Sequence, residues 1–170
     1  MYSYLMSLAT DQQDRKKRAQ RFDSPQQEIY LNLWRTYDRL RILEDELFGR
    51  HDLTAQQYNA LRLLRAASPK KIATLHLAGR LVSRAPDITR LIDKLVERGL
   101  VERERPIDNR RVVNVGITSA GVELLNQLAI EVRSCHDRQL GHLNPQEMQT
   151  LIDLLRKARS PHEAADSNWH

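Results

Sequence analysis

The sequence predicts a mainly α-helical chain carrying one small β-hairpin, and three observations predict it. Apolar residues recur at i, i+3, i+4 and i+7 over most of the chain. Caps of the Ser/Thr/Asn-x-x-Glu/Gln kind, in which side chains at N-cap and N3 satisfy orphan amides, punctuate that pattern. One stretch, Leu100 to Ile117, changes to a period of two.

Ser24, Pro25 and Gln27 supply an N-cap, an N1 proline and an N3 partner, and open a helix whose Ile29, Leu33, Tyr37, Leu40 and Leu47 share one face. Gly49 is placed to end it. Thr54 and Gln57 form the next box, Tyr58, Leu61 and Leu64 give that helix its inner side, and Ser68-Pro69 breaks the pattern. Thr74 is expected to cap a short helix through Leu81, with Leu75, Ala78 and Leu81 or Val82 inward. Ser83 to Pro86 reads as a turn and a new helix start, where a proline costs no intrahelical bond. Ile88, Leu91, Ile92 and Leu95 then mark the inner face of a helix that Gly99 closes as an αL residue.

In the period-two stretch Val101, Arg103 and Arg105 alternate with Glu102 and Glu104, and Val113, Val115 and Ile117 alternate on the return. Pro106, Asp108 and Asn109 give turn chemistry between the runs, so a two-stranded hairpin with a basic tip is expected. Thr118 is positioned to cap a long helix towards Leu140, with Val122, Leu125, Leu128 or Ala129, and Val132 inward. Asn144, Pro145 and Glu147 open the last helix, whose Met148, Leu151, Ile152 and Leu155 are expected to be buried. From Ser160 a loose tail is expected.

Composition narrows the function classes. The chain has 170 residues, 41% hydrophobic and 29% charged, the balance of a soluble globular protein. No stretch approaches the roughly 20 apolar residues that span a bilayer. Met1 to Leu8 lacks the basic n-region of a secretion signal, so the expected compartment is the cytoplasm. Cys135 is the only cysteine, which excludes an intramolecular disulfide and a zinc finger and leaves packing as its ordinary role. His136 and His142 are six apart and do not share a helix face, and neither a metal nor a cofactor is expected. There is no Gly-rich phosphate loop, nucleophile elbow or paired metal motif, so an enzyme is not expected.

A short helix, a turn, a longer helix and then a basic hairpin is the order of a winged helix-turn-helix, in which the second helix enters the major groove of DNA. Arg84, Pro86, Asp87, Thr89 and Arg90 stand at the start of that longer helix, with Lys94 one turn on and off the apolar stripe. By itself this is equally an amphipathic helix with a solvated charged face. The hairpin decides between the two. From Arg80 to Arg111, nine Lys or Arg against six Asp or Glu leave +3 of the chain's total +5. Arg105, Arg110 and Arg111 crowd at a tip beside a helix start, as phosphate and minor-groove contact require.

The run from Arg80 to Arg103, RLVSRAPDITRLIDKLVERGLVER, followed by Asp108 to Thr118, DNRRVVNVGIT, and by Gly121, resembles the signature of the MarR family of winged helix-turn-helix regulators. The likeness extends more loosely from about Ser24 to Ala158. It implies a homodimer whose N- and C-terminal helices interlock and hold two winged heads over a pseudo-palindromic operator in double-stranded DNA, as a repressor. Residues 1–23 would then be a basic extension, 24–52 a dimerisation helix, 53–117 the DNA-binding lobe, 118–159 the C-terminal dimerisation helices and 160–170 the tail. Asp108 and Arg110 match the family's Asp-x-Arg wing motif, in which the Asp holds the Arg for the minor groove, with Asn109 in place of the commoner Arg.

Members commonly answer to small phenolic or lipophilic effectors, and Trp34, Tyr37 and Tyr58 are the candidates here, against the ordinary reading of aromatics at helical spacing as core. The oxidant-sensing cysteine of some members' leading helix has no counterpart, and Cys135 does not match it. The run Arg15-Lys-Lys-Arg with Arg21 reads equally as an arm to the DNA backbone or as a solvated extension. A winged-helix module that binds protein instead of DNA is the alternative, to be told apart by a shallow salt dependence.

Overall fold

In the computed structural model, residues 21–82, 87–106 and 112–163 are described, and they divide after Ile42 into two units. The element order is α1 (Pro25–Gly49), α2 (Ala55–Ala67), β1 (Ile72–Ala73), α3 (Thr74–Arg80), α4 (Ile88–Glu97), β2 (Val101–Glu104), β3 (Asn114–Ile117), α5 (Ser119–Leu140), α6 (Pro145–Arg159) and a 3₁₀ turn (Ser160–His162). The run Arg15 to Arg18, the Ser83–Pro86 turn, the tip residues Asp108 and Asn109 and most of the expected tail lie outside the described residues.

The caps read from the sequence recur in the structure. Ser24 Oγ accepts from the Gln27 amide at 3.1 Å, but the Gln27 side chain reaches past the cap to the Asp23 amide at 2.8 Å. At α2 the box is complete, with Gln57 N to Thr54 Oγ1 at 3.2 Å and Thr54 N to Gln57 Oε1 at 2.9 Å. Asn144 and Glu147 close the same reciprocal pair at α6. Gly49 is the last residue of α1, yet the left-handed residue of the following turn is Asp52, with φ 52°.

The core of the second unit gathers the inner faces of α2 to α5 around the sheet. Leu61 and Leu64 of α2, Leu77 of α3, Ile92 and Leu95 of α4, Val115 of β3 and Leu128 of α5 are its most deeply buried large side chains. Leu47 and Phe48, at the end of α1, join it. A ten-residue helix such as α4 is too short to persist in water unaided. Burial of Leu91, Ile92 and Leu95, each worth about 2 kcal/mol of transfer free energy, holds it in place.

Three expectations are corrected. The sheet has three strands, in the order β1-β3-β2, because Ile72 and Ala73 pair with Val115 and Asn114. Two residues are too few to carry a period, which hides such a strand in a sequence. That pairing also resets α3. The Thr74 amide and hydroxyl both donate to the Val113 carbonyl, at 2.9 and 3.0 Å, so Thr74 is the first helical residue and Ala73 the N-cap. The helix is thereby turned so that Leu77 is fully buried while Leu75 is 83% exposed and Val82 lies outward as well.

The third correction concerns apolar faces. Ile29, Leu33 and Tyr37 of α1 are exposed, and so are Met148, Leu151 and Ile152 of α6, with Leu155 only partly covered. Among the described residues these side chains are left open to solvent.

α4 leaves through a Schellman turn. Leu100 N donates to Leu95 O at 2.9 Å and Gly99 N to Val96 O at 2.8 Å, with Gly99 at φ 67°. Thr118 then ties this turn to α5, since its hydroxyl donates to Gly99 O at 2.7 Å and accepts from the Gly121 amide at 3.1 Å. Gly121 lies so close that a Cβ there would stand 2.4 Å from Leu100 O. Replacing a helical Gly by Ala ordinarily gains about 1 kcal/mol. Here the overlap with a backbone carbonyl outweighs that gain, and Gly121→Ala is expected to lower stability by about 1 to 3 kcal/mol in urea unfolding.

Candidate nucleic-acid interface

α4 turns one face inward and leaves Asp87, Thr89, Arg90 and Lys94 exposed on the other. Asp87 is the N-cap, its Oδ1 accepting from the Arg90 amide at 2.8 Å. A carboxylate at that end also complements the positive pole of the helix. Thr89 and Arg90 are therefore presented at a capped helix start, with Lys94 one turn further on. Arg84 and Pro86, which precede it, lie outside the described residues.

The hairpin base is fixed to the same helix by a residue that periodicity alone does not single out. Arg103, on the inner row of β2, pairs with Asp93 of α4, and its second guanidinium nitrogen donates to the Thr89 carbonyl at 3.3 Å. The two partners are ten positions apart on different elements, so only the hairpin register brings them together. Arg105 continues that row past the end of β2 and is exposed. It borders a cleft of about 520 Å³ that Leu75, Ile88 and Thr89 also line. Asp108, Arg110 and Arg111 lie outside the described residues.

The electrostatics of the face follow from these pairings. Asp87 is engaged as a cap and Asp93 by Arg103, while no ion pair engages Arg90, Lys94 or Arg105 among the described residues. The surface that remains is polar and cationic. It offers hydrogen-bond donors to base edges from α4 and positive charge to phosphates from the hairpin.

The family model of the MarR family matches residues 53–113, from the residue before the α2 cap to the approach to β3. The homoprotocatechuate degradative operon repressor of Escherichia coli is 30% identical over 109 residues, which span 64% of this chain and 72% of that protein. The chain belongs to the MarR family. A MarR transcription factor from Planctomyces limnophilus shares 56% identity with a TM-score of 0.64, covering 80% of this chain and 98% of that one. A cysteine-to-serine variant of MarR from Escherichia coli, solved with operator DNA, shares 26% identity with a TM-score of 0.69 over 77% of this chain and 93% of that one. This MarR-family chain is thus a winged-helix transcriptional regulator with the hairpin as its wing.

The aromatic candidates fall in different settings. Tyr58 is half-buried, stacked on Phe48 with ring centroids 4.6 Å apart, and borders a cleft of about 410 Å³ with Arg62, Arg65, Leu125 and Ala129. Burial pushes its hydroxyl pKa up, against the pull of Arg62 and Arg65. Trp34 and Tyr37 are 62% and 64% exposed, so neither belongs to the core of the chain, and Trp34 has Tyr30 as its ring neighbour at 6.3 Å. No group of three His, Cys, Asp or Glu among the described residues is arranged to hold a metal, and no described helix is long and apolar enough to cross a membrane.

Cys135 sits on the inner face of α5 in the core cluster. Burial, and then the nearby Glu44 carboxylate, push its thiol above the ordinary range, so the nucleophilic thiolate is disfavoured at neutral pH. The native protein is accordingly expected to resist iodoacetamide at pH 7.5 and to be alkylated within minutes in denaturant. Rapid modification of the native chain, read by mass spectrometry, would refute the packing role.

Proposed function

We propose that this MarR-family regulator is a cytoplasmic homodimeric repressor that binds a pseudo-palindromic operator and acts by occupancy, without a catalytic step. The observation that carries the reading is the α4 face, where Thr89, Arg90 and Lys94 project beside a wing base that Arg103 clamps to the same helix. Arg84, Pro86, Asp87, Thr89, Arg90 and Lys94 serve the major groove, and Arg105, Asp108, Arg110 and Arg111 serve the backbone and the minor groove. Residues 53–117 form the DNA-binding lobe, and residues 24–52 and 118–159 the dimerisation regions. Support for the dimer comes from the exposed Ile29, Leu33 and Trp34 of α1 and the exposed Met148, Leu151, Ile152 and Leu154 of α6, apolar stripes that a second copy would cover.

Selection from a random duplex pool tests the operator, and variants test the roles. Arg90→Ala is expected to weaken binding by about 1 to 3 kcal/mol and to relax the base preference. Arg110→Ala is expected to weaken all duplexes alike and to reduce the salt slope by about one. Unchanged operator binding by both variants would refute this docking. In sedimentation the protein is expected to run as a dimer and Leu151→Asp to shift it towards monomer.

The Tyr58 cleft favours a second, regulatory reading. An aromatic floor with Arg62 and Arg65 at its edge suits a small phenolic or aromatic carboxylate effector. Hydroxybenzoates are expected to release the selected duplex from the wild type and to lose that effect in Tyr58→Ala. Release that is equal in both proteins, or absent from both, would rule the cleft out as the effector site.

A further inference from the structure

The outer face of the wing base carries a second fastening, opposite the Arg103 clamp. In the sheet register Glu102 pairs with Gly116, and Ile72 pairs with Val115, so Lys71 stands next in line with Gly116 on the following row. Lys71, Gly116 and Glu102 therefore form one cross-strand row, with Glu104 diagonal to it on the same face. The Lys71 ammonium lies 3.0 Å from Glu102 Oε1 and 2.7 Å from Glu104 Oε2. To reach them from the β1 side it must cross β3, since neighbouring strands are about 4.8 Å apart and two such steps separate β1 from β2.

The path it takes depends on position 116 being glycine. A Cβ at Gly116 would stand 2.9 Å from Lys71 Cγ and 3.6 Å from its Cδ and Cε. The lysine stem occupies the place of the missing side chain, and Gly116 is buried as a result. Two glutamates on one face of a four-residue strand would otherwise repel each other. The ammonium cancels that repulsion and links all three strands. Its pKa is correspondingly raised, by the hydrogen bonds to Glu104 and then Glu102.

We propose that Lys71, threaded over Gly116 onto Glu102 and Glu104, is a positioning residue for DNA binding that sets the angle of the wing. The proposal rests on the DNA-binding reading above. A ribbon of two four-residue strands is marginal by itself, and a small rotation at its base is a large displacement at its tip. Arg103 grips β2 from the α4 side and Lys71 grips it from the other, so β2 has no face left on which to rock.

The test uses the full chain and a duplex selected by the wild type from a random pool. Lys71→Met and Gly116→Ala are each expected to weaken binding roughly tenfold, and the double variant to be no weaker than the worse single, because both break one clamp. Arg110→Ala should cost several-fold less in the Lys71→Met background than in the wild type, a coupling that a general loss of stability would not produce. Thermal unfolding of each variant confirms that the bound species is folded. Wild-type affinity in Lys71→Met, multiplicative losses in the double variant, or an equal cost of Arg110→Ala in both backgrounds would each overturn the clamp while leaving the DNA-binding reading intact. A wild type that selects no duplex would overturn both.

Discussion

The backbone at Gly99 and Leu100 is the point on which the lobe is hung. Within two residues it ends α4, starts the approach to β2 and receives α5. The Schellman bonds orient Leu100 back onto Leu95, and both side chains are buried. Thr118 donates its backbone amide to Leu100 O at 3.1 Å and its hydroxyl to Gly99 O, so the return strand and the next helix are fixed to the same two carbonyls. Only a glycine at 99 takes φ 67° without strain, and only a glycine at 121 lets α5 approach so closely. The spatial relation of α4 to the root of the wing therefore starts from a short piece of main chain, on which the side-chain clamps of Arg103 and Lys71 then act.

The local half of this junction, the Gly99 turn and the Thr118 cap, was legible in the sequence because it is written in local chemistry, whereas the contacts of Thr118 and Gly121 with Gly99 and Leu100 were not. Caps such as Thr54 with Gln57 and Asn144 with Glu147 involve residues three apart, and Gly99 announces a conformation that few other residues adopt. The inner face of α4 was legible for the same reason, since its period is set by the helix itself. Leu75 and Leu77 show where that logic stops. Both are leucines on a seven-residue helix, and which one is buried is decided by the hydrogen bonds of Thr74 to Val113, a partner 39 positions away.

The missed strand and the two clamps of the wing share this origin. β1 is two residues long and exists through its pairing with β3. Asp93 with Arg103, and Lys71 with Glu102 and Glu104, are charges that composition counts but cannot pair, because their pairing needs the sheet register. Gly116 reads in the sequence as a strand residue with no side chain to pack; in the sheet it is the gap through which a lysine passes. The exposed leucines of α6 are a different case. The period that marked them as one apolar face holds along the helix, but among the described residues that face is left open to solvent.

Pairing also changes what the net charge means. Exposed and half-exposed ion pairs of this kind contribute little to stability, typically under about 1 kcal/mol each, so the wing clamps are poorly explained as a means of holding the fold together. They also sort charge. Asp87, Asp93, Glu102 and Glu104 are each engaged inside the lobe, by a helix amide, an arginine and a lysine, whereas Arg90, Lys94 and Arg105 are left pointing out. A segment that sums to a modest positive charge thus presents a face much more positive than its sum. An anionic duplex responds to the face, within a Debye length of roughly 8 Å in physiological salt, and hardly at all to carboxylates already held by their own cations.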